Sequence, residues 1–111
     1  MAKIDDYRQY VKQILNEYGE HKPAYGDVEV EVCFDTERDR YQVIHTGWSK
    51  QRRVYGCVIH IDIKDGKIWI QHDGTEVGIA DELVALGVPK QDIVLAYQSP
   101  YMRKFTEFAI G

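Results

Sequence analysis

The chain has 111 residues, 44% of them apolar, with 14 basic against 18 acidic side chains and a net charge of −4. That length suits one domain around one core, and the apolar fraction excludes a disordered chain. The acidic balance argues against a stand-alone DNA binder, which neutralises phosphates with a broad basic surface.

No apolar run approaches the ~20 residues of a membrane span. The charged, amphipathic N-terminus lacks the apolar stretch of a signal peptide, so a soluble, cytoplasmic protein without membrane contact is expected. Cys33 and Cys57 lack zinc-type spacing. Each falls in an apolar strand pattern, so both are read as buried small hydrophobes in a reducing compartment.

Residues 1–18 are predicted to be helical, because Ile4, Tyr7, Val11, Ile14, Leu15 and Tyr18 recur at spacings of three and four. Gly19 suits a helix C-terminal cap. The stripe is expected to pack on a sheet, with a dimer-forming helix as the alternative. Glu20 to Asp27, containing Pro23 and Gly26, reads as a loop.

VEVEVCFD then alternates cleanly, placing Val28, Val30, Val32 and Phe34 on one face. A charged turn over 36–39 leads into a second strand from Arg40 to Trp48. A four-residue loop sets Phe34 opposite Tyr41, Val32 opposite Val43 and Val30 opposite His45. His45 is read as a hydrogen-bonded core histidine.

After a turn at 49–52, a third strand runs from Arg53 to Lys64 with Tyr55, Cys57, Ile59, Ile61 and Ile63 facing the core. A bulge at Gly56 would reverse the parity upstream of it. Asp65-Gly66 is a two-residue hairpin turn, since a type I′ turn needs positive φ at both positions. Pairing outward from it sets Ile63 opposite Ile68, Ile61 opposite Ile70, Asp62 opposite Trp69 and His60 opposite Gln71.

The fourth strand, Lys67 to His72, is followed by a turn and a helix with Thr75 as N-cap. Ile79, Leu83 and Leu86 form that helix's stripe, Gly87 its C-terminal cap, and Pro89 blocks continuation. DIVLAYQSP is a short apolar run that fits an extra extended segment. The aromatic tail with Tyr101, Phe105 and Phe108 is expected to pack on the body. The fold class is therefore α+β in a single domain over 1–111. It comprises an N-terminal helix, a four-stranded antiparallel meander, a helix and a packed C-terminal segment.

Three constellations could carry function. The non-core sheet face mixes Ile44, Trp48, Val58 and Trp69 with Glu29, Glu31, His60 and Asp62. That is the composition of a protein interface, and Trp48, His60, Asp62 and Trp69 are its candidate contact residues. The alternative is that a helix or the tail covers this face. Lys50, Arg52 and Arg53 beside Trp48 form the most basic spot, a candidate nucleic-acid contact or else a solvated hairpin tip. His60 and Asp62 with the Asp73–Glu76 loop could form an acid–base or metal site. A polar outer face and a capped turn account for the same residues. No phosphate loop, metal-ligand spacing or nucleophile elbow is present, so no cofactor is expected.

Gly47-Trp48, then RVYGCVIHIDIKDGKIWIQHDGTEVGIADELVALGVPKQDIVLAY, resembles the XisI family of cyanobacterial fdxN-element excision controlling factors. KDGKIWIQ, DGTE and Gly87-Val88-Pro89-Lys90 are its most specific stretches. YRQYVKQIL near the start and Phe105 to Ala109 at the close also fit, so the resemblance covers nearly the whole chain. It implies a small α+β accessory factor for DNA rearrangement, working by protein contacts with an XisH-like companion or with a copy of itself. The recombination reaction belongs to a separate enzyme, and no catalytic residues come with the resemblance.

Overall fold

Four antiparallel strands follow one another: β1 (Asp27–Asp35), β2 (Arg40–Ser49), β3 (Arg52–Lys64) and β4 (Lys67–Asp73). The structure is a computed structural model and describes residues 3–21, 23, 26–76 and 78–111. Part of the predicted 20–27 loop therefore lies outside the described residues.

Alternation fixes the register of the first hairpin. Phe34 pairs with Tyr41, Val32 with Val43 and Val30 with His45, so every apolar residue of β1 reaches the same face. The 36–39 loop closes with Asp39 at φ 54, and the Asp35 carboxylate accepts from the backbone N–H of Glu37 and Arg38. Asp65 and Gly66 both have positive φ, as a type I′ turn requires. Around them Ile63 pairs with Ile68, Asp62 with Trp69 and Ile61 with Ile70.

A fifth strand, β5 (Ile93–Leu95), pairs parallel to β4. The sheet is thus five-stranded and mixed, in the order β1-β2-β3-β4-β5, rather than a purely antiparallel four-stranded meander. A parallel neighbour needs a crossover, and α2 (Ile79–Ala85) with a 3₁₀ turn at Lys90–Asp92 supplies it.

Helix α1 (Lys3–Gly19) and α2 cover one face of the sheet. Tyr7, Val11, Ile14 and Leu15 from α1 meet Tyr41, Val43, Ile59, Ile61 and Ile68 from the sheet and Ile79 and Leu83 from α2. Two polar clasps orient α1. Arg8 donates from Nε and one terminal nitrogen to the Asp39 carboxylate at 2.8 and 2.9 Å. Tyr7 and Lys3 both bond Asp92, just before β5.

Gly19 is the last residue of α1. A Cβ there would come within 2.4 Å of Val32 Cγ2, so glycine serves close helix–sheet approach rather than a left-handed cap. The cap of α2 also differs from expectation. Thr75 does not cap it; Asp73 reaches past the loop and accepts from Ile79 N–H at 2.8 Å, and also from the Thr75 N–H and hydroxyl. At the other end Gly87 (φ 107) donates to Val84 O and Val88 to Leu83 O, a Schellman motif.

Two bulges change the predicted facing. Val43 pairs with Ile59 and Ile44 with Cys57, leaving Val58 as the extra residue. The bulge is thus at Val58, not Gly56, and Val58 packs toward the core. Upstream parity reverses: Tyr55 and Cys57 point to the open face, not the core. Opposite, Gln71 is the extra residue of β4, so His60 pairs with His72 rather than Gln71. Cys33 and Cys57 are both free and exposed, not buried.

After β5 the chain turns into the one-turn helix α3 (Pro100–Arg103), capped by the Ser99 hydroxyl. It then returns along β5, where Ala109 N–H bonds Ile93 O. Among the described residues no helix is long and apolar enough to cross a membrane.

Candidate functional site

Helices α1 and α2 lie on one face, and the other face of β1–β3 is open. Strand pairing arranges its side chains in rows. One row runs Asp35, Arg40, Asp62, Trp69, and the next Cys33, Gln42, His60, His72. Then come Glu31, Ile44, Cys57; Glu29, Thr46, Tyr55; and finally Asp27, Trp48, Arg53. The four predicted face residues, Trp48, His60, Asp62 and Trp69, do share this side, and Trp48 and Trp69 stand at opposite ends of it.

Trp48 is 52% exposed and Tyr55 72%, large apolar surface that a monomeric sheet gains nothing by showing. The Arg53 guanidinium lies 5.5 Å over the Trp48 ring and donates to Gly47 O at 3.3 Å. In the middle His60 Nε2 donates to Asp62 Oδ1 at 2.9 Å, and Gln71 donates to Asp62 Oδ2 at 3.2 Å. Thr46 donates to Glu31 at 2.7 Å. The Cys57 thiol donates back to Ile59 O at 3.2 Å, and partial desolvation pushes its pKa up.

Trp69 is different. Its indole N–H donates to Lys64 O, and Lys64 Nζ and Arg103 sit 4.1 and 5.7 Å from its ring. Lys67 Nζ holds Gly111 O at 2.7 Å beside it. The C-terminal segment thus covers the Trp69 end, while the Trp48–Tyr55 end stays bare.

Lys50, Arg52 and Arg53 occupy the tip of the β2–β3 hairpin, all exposed. The side chains of Lys50 and Arg52 make no hydrogen bond or ion pair among the described residues. Asp27 and Glu29 line the same shallow depression as Arg53, so carboxylates offset the cations. The proposed acid–base grouping assembles only in part: His72 pairs across from His60, but the Asp73–Glu76 loop stands apart. His60 and Asp62 belong to the open face, whereas the Asp73 carboxylate caps α2 on the helical side. Among the described residues no three His, Cys, Asp or Glu side chains are placed to hold a metal ion.

His45 faces the helices, stacked on Tyr18 with centroids 6.4 Å apart. Its Nε2 is buried without a hydrogen-bond partner among the described residues, contrary to the expectation of a bonded core histidine. Desolvation lowers its pKa. The places of Tyr55, Cys33 and Cys57 on the open face were missed. The readable signal was the adjacent apolar pair Val58-Ile59, which breaks strict alternation and marks a bulge.

The chain is thus a two-layer α+β domain, with helices on one side of a mixed sheet and a bare, aromatic-bearing face on the other. The family model "XisI protein" matches residues 1–110, and the chain belongs to the XisI family. A XisI-like protein from Anabaena variabilis, solved by crystallography, is 46% identical, with a TM-score of 0.92, covering 98% of this chain and 100% of that one. The fdxN element excision controlling factor XisI from the same organism is 33% identical, with a TM-score of 0.86, covering 99% and 100%. Among curated proteins none matches the chain.

Proposed function

We propose that this protein is a controlling factor for excision of a DNA element of the fdxN type, acting through protein contacts rather than its own catalysis. Its partner is a companion of the XisH type, seated on the open sheet face. The observation that carries this reading is the bare Trp48–Tyr55 end of that face, 52% and 72% exposed beside a carboxylate-rich edge strand. Exposed aromatics within a polar field are what interface hot spots are made of.

The test is co-expression with the companion and affinity capture of the pair. Trp48→Ala and Tyr55→Ala remove no core packing, so stability should stay within about 0.5 kcal/mol of the parent. Retention of the companion should fall at least about tenfold. Equal capture by both variants would sink this reading.

A second reading, direct duplex binding, has the unpaired Lys50 and Arg52 in its favour. It predicts salt-dependent retention of DNA by the purified protein, weakened in Arg52→Ala/Arg53→Ala. The nearby Asp27 and Glu29 weigh against it, and no band shift at low salt would remove it.

A further inference from the structure

Among the described residues, five of the seven large apolar side chains that stand exposed fall between Tyr97 and Ile110. Tyr101 and Phe105 are each 64% exposed, Ile110 60% and Met102 46%. The two rings pack edge to face on one another at 5.5 Å, and Lys104 Nζ lies 4.1 Å from the Tyr101 centroid and 5.3 Å from that of Phe105. Lys104 has no carboxylate partner among the described residues. The result is a cationic aromatic knob, and a concentrated apolar patch of this kind marks a contact surface.

The segment is not loose. Arg103 donates to Gln98 O, Ala96 O and Ile110 O, which fixes the knob beside β5 and away from its own helical layer.

On that layer a groove runs between α1 and α2. Its larger part is a cleft of about 550 Å³ at the end of α1, lined by Ile14, Glu17, Tyr18, His21, Glu76 and Glu82. It continues past Ile14 and Leu86 into a smaller hollow of about 180 Å³. The floor is apolar and the walls are acidic. Glu76 and Glu82 have no cationic partner among the described residues, and Glu17 has only Gln13. Burial, and then the charge of Glu17, push the Glu82 carboxyl above its usual range, as expected where no cation offsets neighbouring carboxylates.

We infer that the groove receives the Tyr101–Lys104–Phe105 knob of a second copy of this chain, reciprocally, in a two-fold dimer. Each feature supplies what the other lacks. Among the described residues the knob has an ammonium without a carboxylate and rings without a pocket; the groove has carboxylates without a lysine or arginine, beside Ile14 and Tyr18. A cleft of this size is in the range that accommodates drug-sized ligands and has room for the two rings. Reciprocity doubles each contact, as in any two-fold interface. This surface is distinct from the open sheet face and leaves it free.

Sedimentation velocity of the full chain across a concentration series tests the inference. The parent should show a monomer–dimer equilibrium. Lys104→Glu alone and Glu82→Lys alone should each weaken dimerisation about tenfold or more, since each faces like charge with like. Lys104→Glu/Glu82→Lys in one chain should restore it to within about threefold, because the pair is then reversed rather than broken. Phe105→Ser should weaken it without rescue by the charge swap.

If Glu82→Lys fails to fold by circular dichroism, Glu76→Lys, on the exposed loop of the same cleft, takes its place. A parent that is monomeric at its highest soluble concentration overturns the inference and assigns the knob to some other acidic partner. A dimer indifferent to Lys104→Glu and Phe105→Ser overturns it equally, as do open-ended polymers.

Discussion

Asp39 shows how much one side chain can organise. It sits in a left-handed turn position, accepts two bonds from Arg8 and takes the hydroxyl of the fully buried Tyr41 at 2.9 Å. Arg8 holds the Asp39 carboxyl below the usual carboxylate range, and burial with Asp39 pushes the Tyr41 hydroxyl up to about 12. Asp39→Ala strands that hydroxyl and should cost about 1–3 kcal/mol in chemical denaturation. A depressed folded pKa contributes stability above the unfolded value and loses it as pH falls through the folded value. The variant should therefore show a shallower loss on the acid side. His45 works in a higher window. Its folded pKa lies below the ordinary 6.5, so the unfolded chain binds the extra proton. The stability it contributes is present above about 6.5 and fades as pH falls below it. Urea midpoints at about pH 7.5 and about pH 5.5 should differ more in the parent than in His45→Phe, which keeps the stacking on Tyr18 and removes the titration.

At the scale of elements, close backbone approach decides positions that pattern alone leaves open. Gly47 precedes the exposed Trp48, and a Cβ there would sit 2.0 Å from Asp27 O and 2.7 Å from the Val28 Cα. Gly47→Ala must push β1 off β2, with a cost of about 2–3 kcal/mol expected from overpacking against backbone that cannot yield. Loss of slow amide exchange in β1 would locate the damage. An unchanged denaturation midpoint would contradict it. The α2 helix is only seven residues long and would not persist alone. Asp73 at its start, the Gly87–Val88 motif at its end and the buried Ile79 and Leu83 hold it. Its capping residue lies six positions before the first helical N–H, too far for a local capping pattern to reveal.

At the scale of the molecule, the layer arrangement separates a packed face of the sheet from an open one. Helices α1 and α2 lie on one side, the C-terminal segment seals the Trp69 corner, and the Trp48–Tyr55 end remains bare. Arg103→Ala removes the bonds that pin this segment. Trp69 fluorescence, isolated in a Trp48→Phe background, should shift to the red and quench more readily with acrylamide, with the far-ultraviolet dichroism unchanged. No shift would mean that the Lys64 and Lys67 contacts suffice to hold the seal.

Local chemistry alone determined the α1 stripe, the two hairpin turns, the pairing of β1 with β2, the isoleucine face and the shared side of Trp48, His60, Asp62 and Trp69. Each is a matter of period, turn conformation or neighbouring side chains, and those are written in consecutive residues. KDGKIWIQ and DGTE likewise sufficed to place the chain in its family. Only the tertiary structure decided the rest. The bulge at Val58, which turns Tyr55 and Cys57 outward, leaves a local trace in Val58-Ile59, but its place and that of the bulge at Gln71 are set by pairing with the neighbouring strands. The parallel β5 depends on a crossover whose helix is stable only once packed. The cover over Trp69 and the groove between α1 and α2 join residues from distant parts of the chain. Their contacts depend on how separate elements settle against one another, and no local pattern carries that.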